Sequence, residues 1–118
     1  MRQLTEHNVG AVNEKIRITV ADEPGSGGAN HLYAIDVEGL PTLELVFQKG
    51  ALLEVGPNGI TQEALLAVVI DRLRCFQEGP FPSEENKNAL DNAEAALEWL
   101  QLRTRNRIER GVEGKEVA

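Results

Sequence analysis

The sequence predicts an α+β fold: a small antiparallel N-terminal β-sheet followed by a C-terminal antiparallel two-helix hairpin. Residues 15–20, Lys-Ile-Arg-Ile-Thr-Val, alternate polar with β-branched apolar side chains, the two-residue period of a half-buried strand. From Thr61 onward the apolar residues recur instead every three or four positions, which is the helical period. Between the two regimes stand Gly56-Pro57-Asn58-Gly59, residues that end a sheet because glycine and asparagine accept left-handed backbone and proline lacks an amide donor.

Taken in order, Met1 to Asn13 is polar, lacks the apolar run of a secretory leader, and reads as a mobile terminus. In the first strand Ile16, Ile18 and Val20 share one side. Asp22 to Asn30, with Pro24 and Gly25-Ser26-Gly27-Gly28, reads as a flexible hairpin connection. His31 to Val37 and Leu43 to Gln48 are two further strands turned at Gly39 and Pro41, and Ala51 to Val55 reads as a short fourth. Thr61 is placed to cap a helix running to about Gln77, with a stripe of Leu65, Val69, Leu73 and Phe76 that Leu66 and Ile70 widen.

Gly79-Pro80-Phe81-Pro82 stops that helix. Ser83 caps the next, and Glu84 and Glu85 stand where the helix dipole favours negative charge. Leu90, Ala93, Ala96, Leu97 and Leu100, with Trp99 at the margin, predict a helix of roughly 25 residues ending near Gly111. So short a connection makes the two helices antiparallel, and the hairpin is expected to cover one face of the sheet. These elements make one domain, 1–118, with a sheet region at 14–57, a helical hairpin at 61–111 and a short tail at 112–118 that is polar and frayed after Gly114.

The composition narrows the function. At 118 residues and 42% hydrophobic content, the chain can bury one modest core. A formal charge of -7 opposes long nucleic acid, which is held by many cations against phosphates. With Cys75 as the single cysteine no internal disulfide can form, which fits a reducing, cytoplasmic setting. No stretch nears the roughly 18 apolar residues of a membrane span.

Catalytic residues are not expected. His7 and His31 are the two histidines and fit no metal-ligand spacing, His31 reading as a structural or solvated strand residue. Cys75, between Arg74 and Phe76, has no recognisable partner base and reads as inert and half-buried. No cofactor or metal is implied.

The positive charge is concentrated instead at the end of the second helix, as Arg103, Arg105, Arg107 and Arg110 before Gly111-Val112-Glu113-Gly114. Arg103 and Arg107, four residues apart, share a helical face and offer two planar guanidinium forks suited to the phosphates of a pyrophosphate or a cyclic dinucleotide. The same spacing also fits a solvated helix end with ion pairs to Glu109 and other acids. Phe76 reads either as core or as a face on which a base stacks. Asn86 reads either as a first-turn residue or as an amide that hydrogen-bonds a base edge or ribose hydroxyl.

Asn58 to Arg74, Phe76-Gln-Glu-Gly79, Glu85-Asn86, Ala96 to Leu100, Arg103-Thr-Arg105 and Arg110-Gly-Val-Glu-Gly114 together resemble the phage Thoeris anti-defence sponges of type one. The helical hairpin of those proteins is shared with the phage anti-CBASS sponge. The resemblance covers about the last sixty residues closely. It implies a non-enzymatic phage protein, acting in the cytoplasm of the infected bacterium, that binds glycocyclic ADP-ribose made by TIR-domain immune proteins and withholds it intact from its effector. It further implies that Phe76 stacks on the base, that Asn86 contacts the ligand, and that Arg103 and Arg107 stand near the phosphates. Dimers assembling to hexamers, and uptake of CBASS cyclic di- or trinucleotides at separate sites, are also implied by the resemblance, the latter without assignable residues.

One copy cannot close such a pocket. Asn86 and Arg103 lie seventeen residues apart on one helix, roughly 25 Å at 1.5 Å per residue. Phe76 and Asn86 of one copy must therefore meet the arginines of an antiparallel second copy. Two other readings remain: a nucleotide hydrolase that destroys the same signal with Asp71 or Glu98 holding a metal, and a helical module whose arginines dock an acidic protein.

Overall fold

The computed structural model describes residues 1–118, which form two compact units, Met1–Gly59 and Ile60–Ala118. The first holds a four-stranded antiparallel sheet whose strands pair in chain order, starting from β1 (Arg2–Leu4). Strands β2 (Ile16–Val20) and β3 (Leu32–Val37) pair with Ile18 opposite Ile35, and β4 (Leu43–Val46) continues the sheet with Leu43 opposite Ile35. The alternation in β2 is realised as expected: Arg17 is exposed while Val20 is 1% exposed. An edge-to-face contact between Tyr33 and Phe47, with centroids 5.6 Å apart, adds aromatic packing beside β4.

The N-terminal residues, expected to be mobile, are ordered. Arg2–Leu4 forms β1, which pairs with β2 through Arg2 opposite Val20 and Leu4 opposite Ile18, and Ala11–Glu14 forms a helical turn, α1. Three residues reading Arg-Gln-Leu carry no hydrophobic period, so this strand is specified by the open edge of β2 and not by its own pattern. Side chains reinforce it: Arg2 Nη2 donates to Asn30 Oδ1 at 2.9 Å, and His7 Nε2 lies 2.6 Å from the Ile16 carbonyl.

The glycine-rich connection between β2 and β3 is likewise pinned. Both Asp22 carboxylate oxygens accept the His31 N–H at 3.1 Å, Asn30 Nδ2 donates to the Asp22 carbonyl at 2.7 Å, and Gly25 N–H donates to Ala29 O at 2.8 Å. Gly25 also lies so close to the His31 ring that a Cβ there would stand 2.7 Å from Cε1. His31 is thus a structural residue, with Nδ1 buried and without a hydrogen-bond partner.

Ala51 to Val55, expected as a strand, is instead a single helical turn, α2 (Leu52–Val55). An amide clasp explains the difference. Asn58 Nδ2 donates to Lys49 O at 2.7 Å, Lys49 N–H donates to Asn58 Oδ1 at 2.8 Å, and Gln48 exchanges bonds with Gly56 O and Asn58 N–H. With both ends of the segment tied together, the chain between them must be compact. The clasp also ends β4 at Val46, two residues earlier than expected.

The second unit is the helical hairpin. Thr61 Oγ1 accepts Ala64 N–H and caps α3 (Gln62–Glu78); Ser83 Oγ accepts Asn86 N–H and caps α4 (Glu84–Glu109). The two helices contact each other, and their least exposed apolar side chains, Leu66, Ile70 and Leu73 on α3 and Leu90, Ala93, Leu97 and Leu100 on α4, mark the seam, with Ile70 3% exposed. An exposed ion pair, Arg74 to Glu94 at 2.7 Å, joins them at the side.

On α3 this seam combines Leu73, expected at the centre of the stripe, with Leu66 and Ile70, expected only to widen it. Leu65, Val69 and Phe76, read as its centre, remain 38%, 41% and 51% exposed, and Cys75 is exposed instead of half-buried. Two apolar stripes lie side by side on α3, and a single neighbouring helix can cover one of them. No helix is long and apolar enough to cross a membrane.

Candidate ligand-binding site

Nothing between Glu84 and Glu109 interrupts α4, which contains neither glycine nor proline, so it carries its arginine cluster at the far end of a rigid rod. Trp99, Arg103, Asn106 and Arg110 recur at steps of four, three and four residues and share one face. With Leu102, Arg107, Glu109 and Ala118 they line an open groove of about 600 Å³, in which the arginines outnumber the one acidic side chain. Trp99 is 72% exposed, and Arg103 is exposed and makes no hydrogen bond or ion pair within the chain. The groove thus presents an aromatic face one turn from an unengaged guanidinium, the pairing that suits a ring system carrying an anion. The sequence reading places Trp99 only at the margin of the apolar stripe and does not name Asn106; their shared spacing with Arg103 is the signal available.

Arg107 departs from the expectation of two equivalent open forks. It is the single buried charged residue, 6% exposed, and its guanidinium is engaged by the segment that follows the helix. Nε donates to Glu113 Oε2 at 3.1 Å, and Nη2 donates to Val112 O at 3.0 Å and Lys115 O at 2.8 Å. Nη1 donates to Val117 O and, at 3.4 Å, to Ala118 O. Arg103 and Arg107 both line this groove, but their spacing carries no information about a chain reversal at Gly111, whose φ of 72° is left-handed.

Phe76 and Asn86 lie at the opposite end of the hairpin. The turn between them is closed by Gln77, whose Oε1 accepts Ser83 N–H at 3.0 Å. Phe76 projects a half-exposed ring with the Arg72 guanidinium carbon 5.5 Å from its centroid, a cation–π contact. Asn86 is half-buried; its backbone N–H is used by the Ser83 cap, and its side-chain amide makes no hydrogen bond. Because α4 is continuous, Asn86 and Arg103 are separated by roughly 25 Å. One chain therefore holds Asn86 at the turn end of the hairpin and Arg103 with Arg107 in the groove at the other end, without joining the two.

Between the two ends, Leu65, Leu66, Val69, Ala96, Trp99 and Leu100 border a second groove of about 560 Å³ that is almost wholly apolar. No three His, Cys, Asp or Glu side chains converge in a metal-holding arrangement.

A curated protein named Thoeris anti-defense 1, from Bacillus phage SBSphiJ7, is 48% identical to this chain over 68 residues. That match covers 58% of the chain and spans about half, 48%, of the relative. Residues 42–105, comprising β4, the amide clasp, α3 and most of α4, match the family model described as the hairpin domain of Acb2/Tad1. With more than half of its length matched, through the helices that carry Phe76, Asn86 and Arg103, the chain belongs to the Acb2/Tad1 hairpin-domain family.

Proposed function

We propose that this chain is a phage anti-defence protein that binds glycocyclic ADP-ribose and withholds it, undegraded, from the Thoeris effector. Its setting is the cytoplasm of the infected cell. The observation that carries this reading is Arg103, an unengaged guanidinium one turn from an exposed tryptophan, in a chain of this family. The relative's name supports an anti-defence role. Phe76 and Asn86 supply the base and ribose contacts, and Arg103 and Arg107 stand on the phosphate side.

The working unit is at least a dimer. Phe76 and Asn86 of one copy meet the arginines of another, since roughly 25 Å of helix separates them within one chain. The second apolar stripe of α3 and the groove beside Trp99 give the antiparallel copy its docking face, and further assembly to a hexamer follows the same logic. Cyclic di- or trinucleotides are taken up at separate sites of that assembly. The hydrolytic alternative, with Asp71 or Glu98 holding a metal, differs from sequestration in the fate of the ligand, which it would return as fragments.

Calorimetry with glycocyclic ADP-ribose tests the reading. Wild type should bind, and Arg103→Ala should lose about 1.5–3 kcal/mol, the worth of a charge-assisted hydrogen bond, which is roughly a 10- to 150-fold weaker Kd. Heat-denaturing the complex should return the ligand intact. Equal binding by the variant, or recovery of fragments, would overturn the proposal.

A further inference from the structure

Arg107 uses every donor it has. A guanidinium carries five N–H groups, and all five point at acceptors of residues 112–118: the Glu113 carboxylate and the carbonyls of Val112, Lys115, Val117 and Ala118. The return path is built by Gly111 in its left-handed conformation and by Val112 N–H, which donates to Arg107 O at 3.0 Å. Arg110 braces the same segment, with Nη2 donating to Ala118 O at 2.6 Å.

An anionic ligand reaching Arg107 directly would have to displace these acceptors, and a phosphate can replace only two or three of them. Each bond the phosphate made to Arg107 would replace one that the guanidinium already makes, so direct contact there gains little, and the segment would lose its anchor. Arg103, one turn earlier, asks for no such exchange. The segment secured by Arg107 brings Ala118 into the lining of the groove that contains Arg103 and Trp99.

We propose that Arg107 is a positioning residue: it fixes residues 112–118 as one wall of the nucleotide groove, and Arg103 makes the phosphate contact. The inference rests on the reading of that groove as the ligand site, and it assigns the two arginines different work. Substituting Arg107 weakens binding by releasing the wall, so the loss disappears once the wall itself is absent.

Two measurements decide it. In the ligand-free protein, hydrogen exchange at Val112 and Lys115, whose amides are bonded to Arg107 O and Val112 O, should quicken at least tenfold in Arg107→Ala and in Arg107→Lys. Quenching of Trp99, the sole tryptophan, should rise in parallel while helix content is retained. Unchanged exchange in both variants would overturn the anchor. In the second measurement, affinity for glycocyclic ADP-ribose is compared among wild type, Arg107→Ala, a chain ending at Gly111, and the combination. Each single change should weaken binding about tenfold and the combination no further. A tenfold loss from Arg107→Ala in the shortened chain, or none in the full chain, would overturn the positioning role. Failure of wild type to bind would sink the nucleotide reading, while exchange would still decide whether Arg107 holds the segment.

Discussion

Replacing Ile70 and Val69 with alanine, one at a time, tests which stripe of α3 belongs to the hairpin seam. Ile70 is 3% exposed, so Ile70→Ala removes three buried carbons, each worth about 0.8 kcal/mol, and leaves a cavity between two helices that cannot fully close; the expected loss is about 3–4 kcal/mol. Val69 is 41% exposed, and Val69→Ala removes two half-covered carbons at a cost of about 1 kcal/mol. At about 3–5 °C per kcal/mol for a chain of this size, Tm should fall by about 12 °C for the first variant and about 4 °C for the second. The assay is the helical circular dichroism signal during heating, repeated over a hundredfold range of protein concentration. If Val69→Ala costs as much as Ile70→Ala in the dilute limit, the seam has been assigned to the wrong stripe. A Val69 cost that grows only with concentration shows that a second copy covers it, because association stabilises the folded state by mass action.

Two further outcomes follow from the sheet unit. A Cβ at Gly59 would stand 2.5 Å from the Phe47 carbonyl carbon and 2.7 Å from Gln48 N, backbone atoms that cannot swing aside. Gly59→Ala should therefore cost about 3 kcal/mol, at the upper end of overpacking penalties, whereas Gly27→Ala meets nothing within 4 Å and should leave Tm nearly unchanged; equal melting of the two would refute the close approach. Partial desolvation would raise the Asp22 carboxyl, but the N–H groups of Leu32 and His31, the Lys49 charge and the Asn30 amide together hold it below its ordinary value. With the folded pKa below the unfolded value of about 3.9, the carboxylate's contribution is complete above about pH 4 and fades as pH falls through the folded value. The stability gap between wild type and Asp22→Asn should accordingly be wider at pH 6 than at pH 3, and a gap that does not narrow on acidification would contradict the carboxylate's role.

What could be read from the sequence depended on whether a residue's neighbours were local. Thr61 and Ser83 cap helices whose first turns follow immediately, so both helix starts were legible, and the period of Ile16, Ile18 and Val20 fixed the face of β2. β1 was not legible, because Arg2–Leu4 becomes a strand only by lying along an edge fourteen or more residues away. The turn at Leu52–Val55 was mistaken for a strand because apolar content says little about backbone conformation, and the deciding contacts run between Gln48 or Lys49 and Asn58. At the candidate site, spacing put Arg103 and Arg107 on one face but could not foresee that a chain reversal would hand one of them five acceptors and leave the other none.

The unequal fates of those arginines and the two stripes of α3 lead to the same physical conclusion. Within the hairpin unit Ile70 is the single buried apolar side chain, while Leu65, Val68, Val69, Phe76, Trp99 and Leu102 each keep more than a third of their surface in contact with water. Such exposure is tolerable on a scattered surface, but Leu65, Val69 and Trp99 border one apolar groove together with Leu66, Ala96 and Leu100, and contiguous apolar surface of that kind suits association. An antiparallel copy laid there would shield the stripe around Leu65 and Val69 and, by the same symmetry, carry Arg103 toward the partner's Phe76 and Asn86 ends. The length of α4 would then set the spacing of the two sites in a dimer, so inserting or deleting one helical turn between Asn86 and Arg103 should abolish binding while leaving each chain helical.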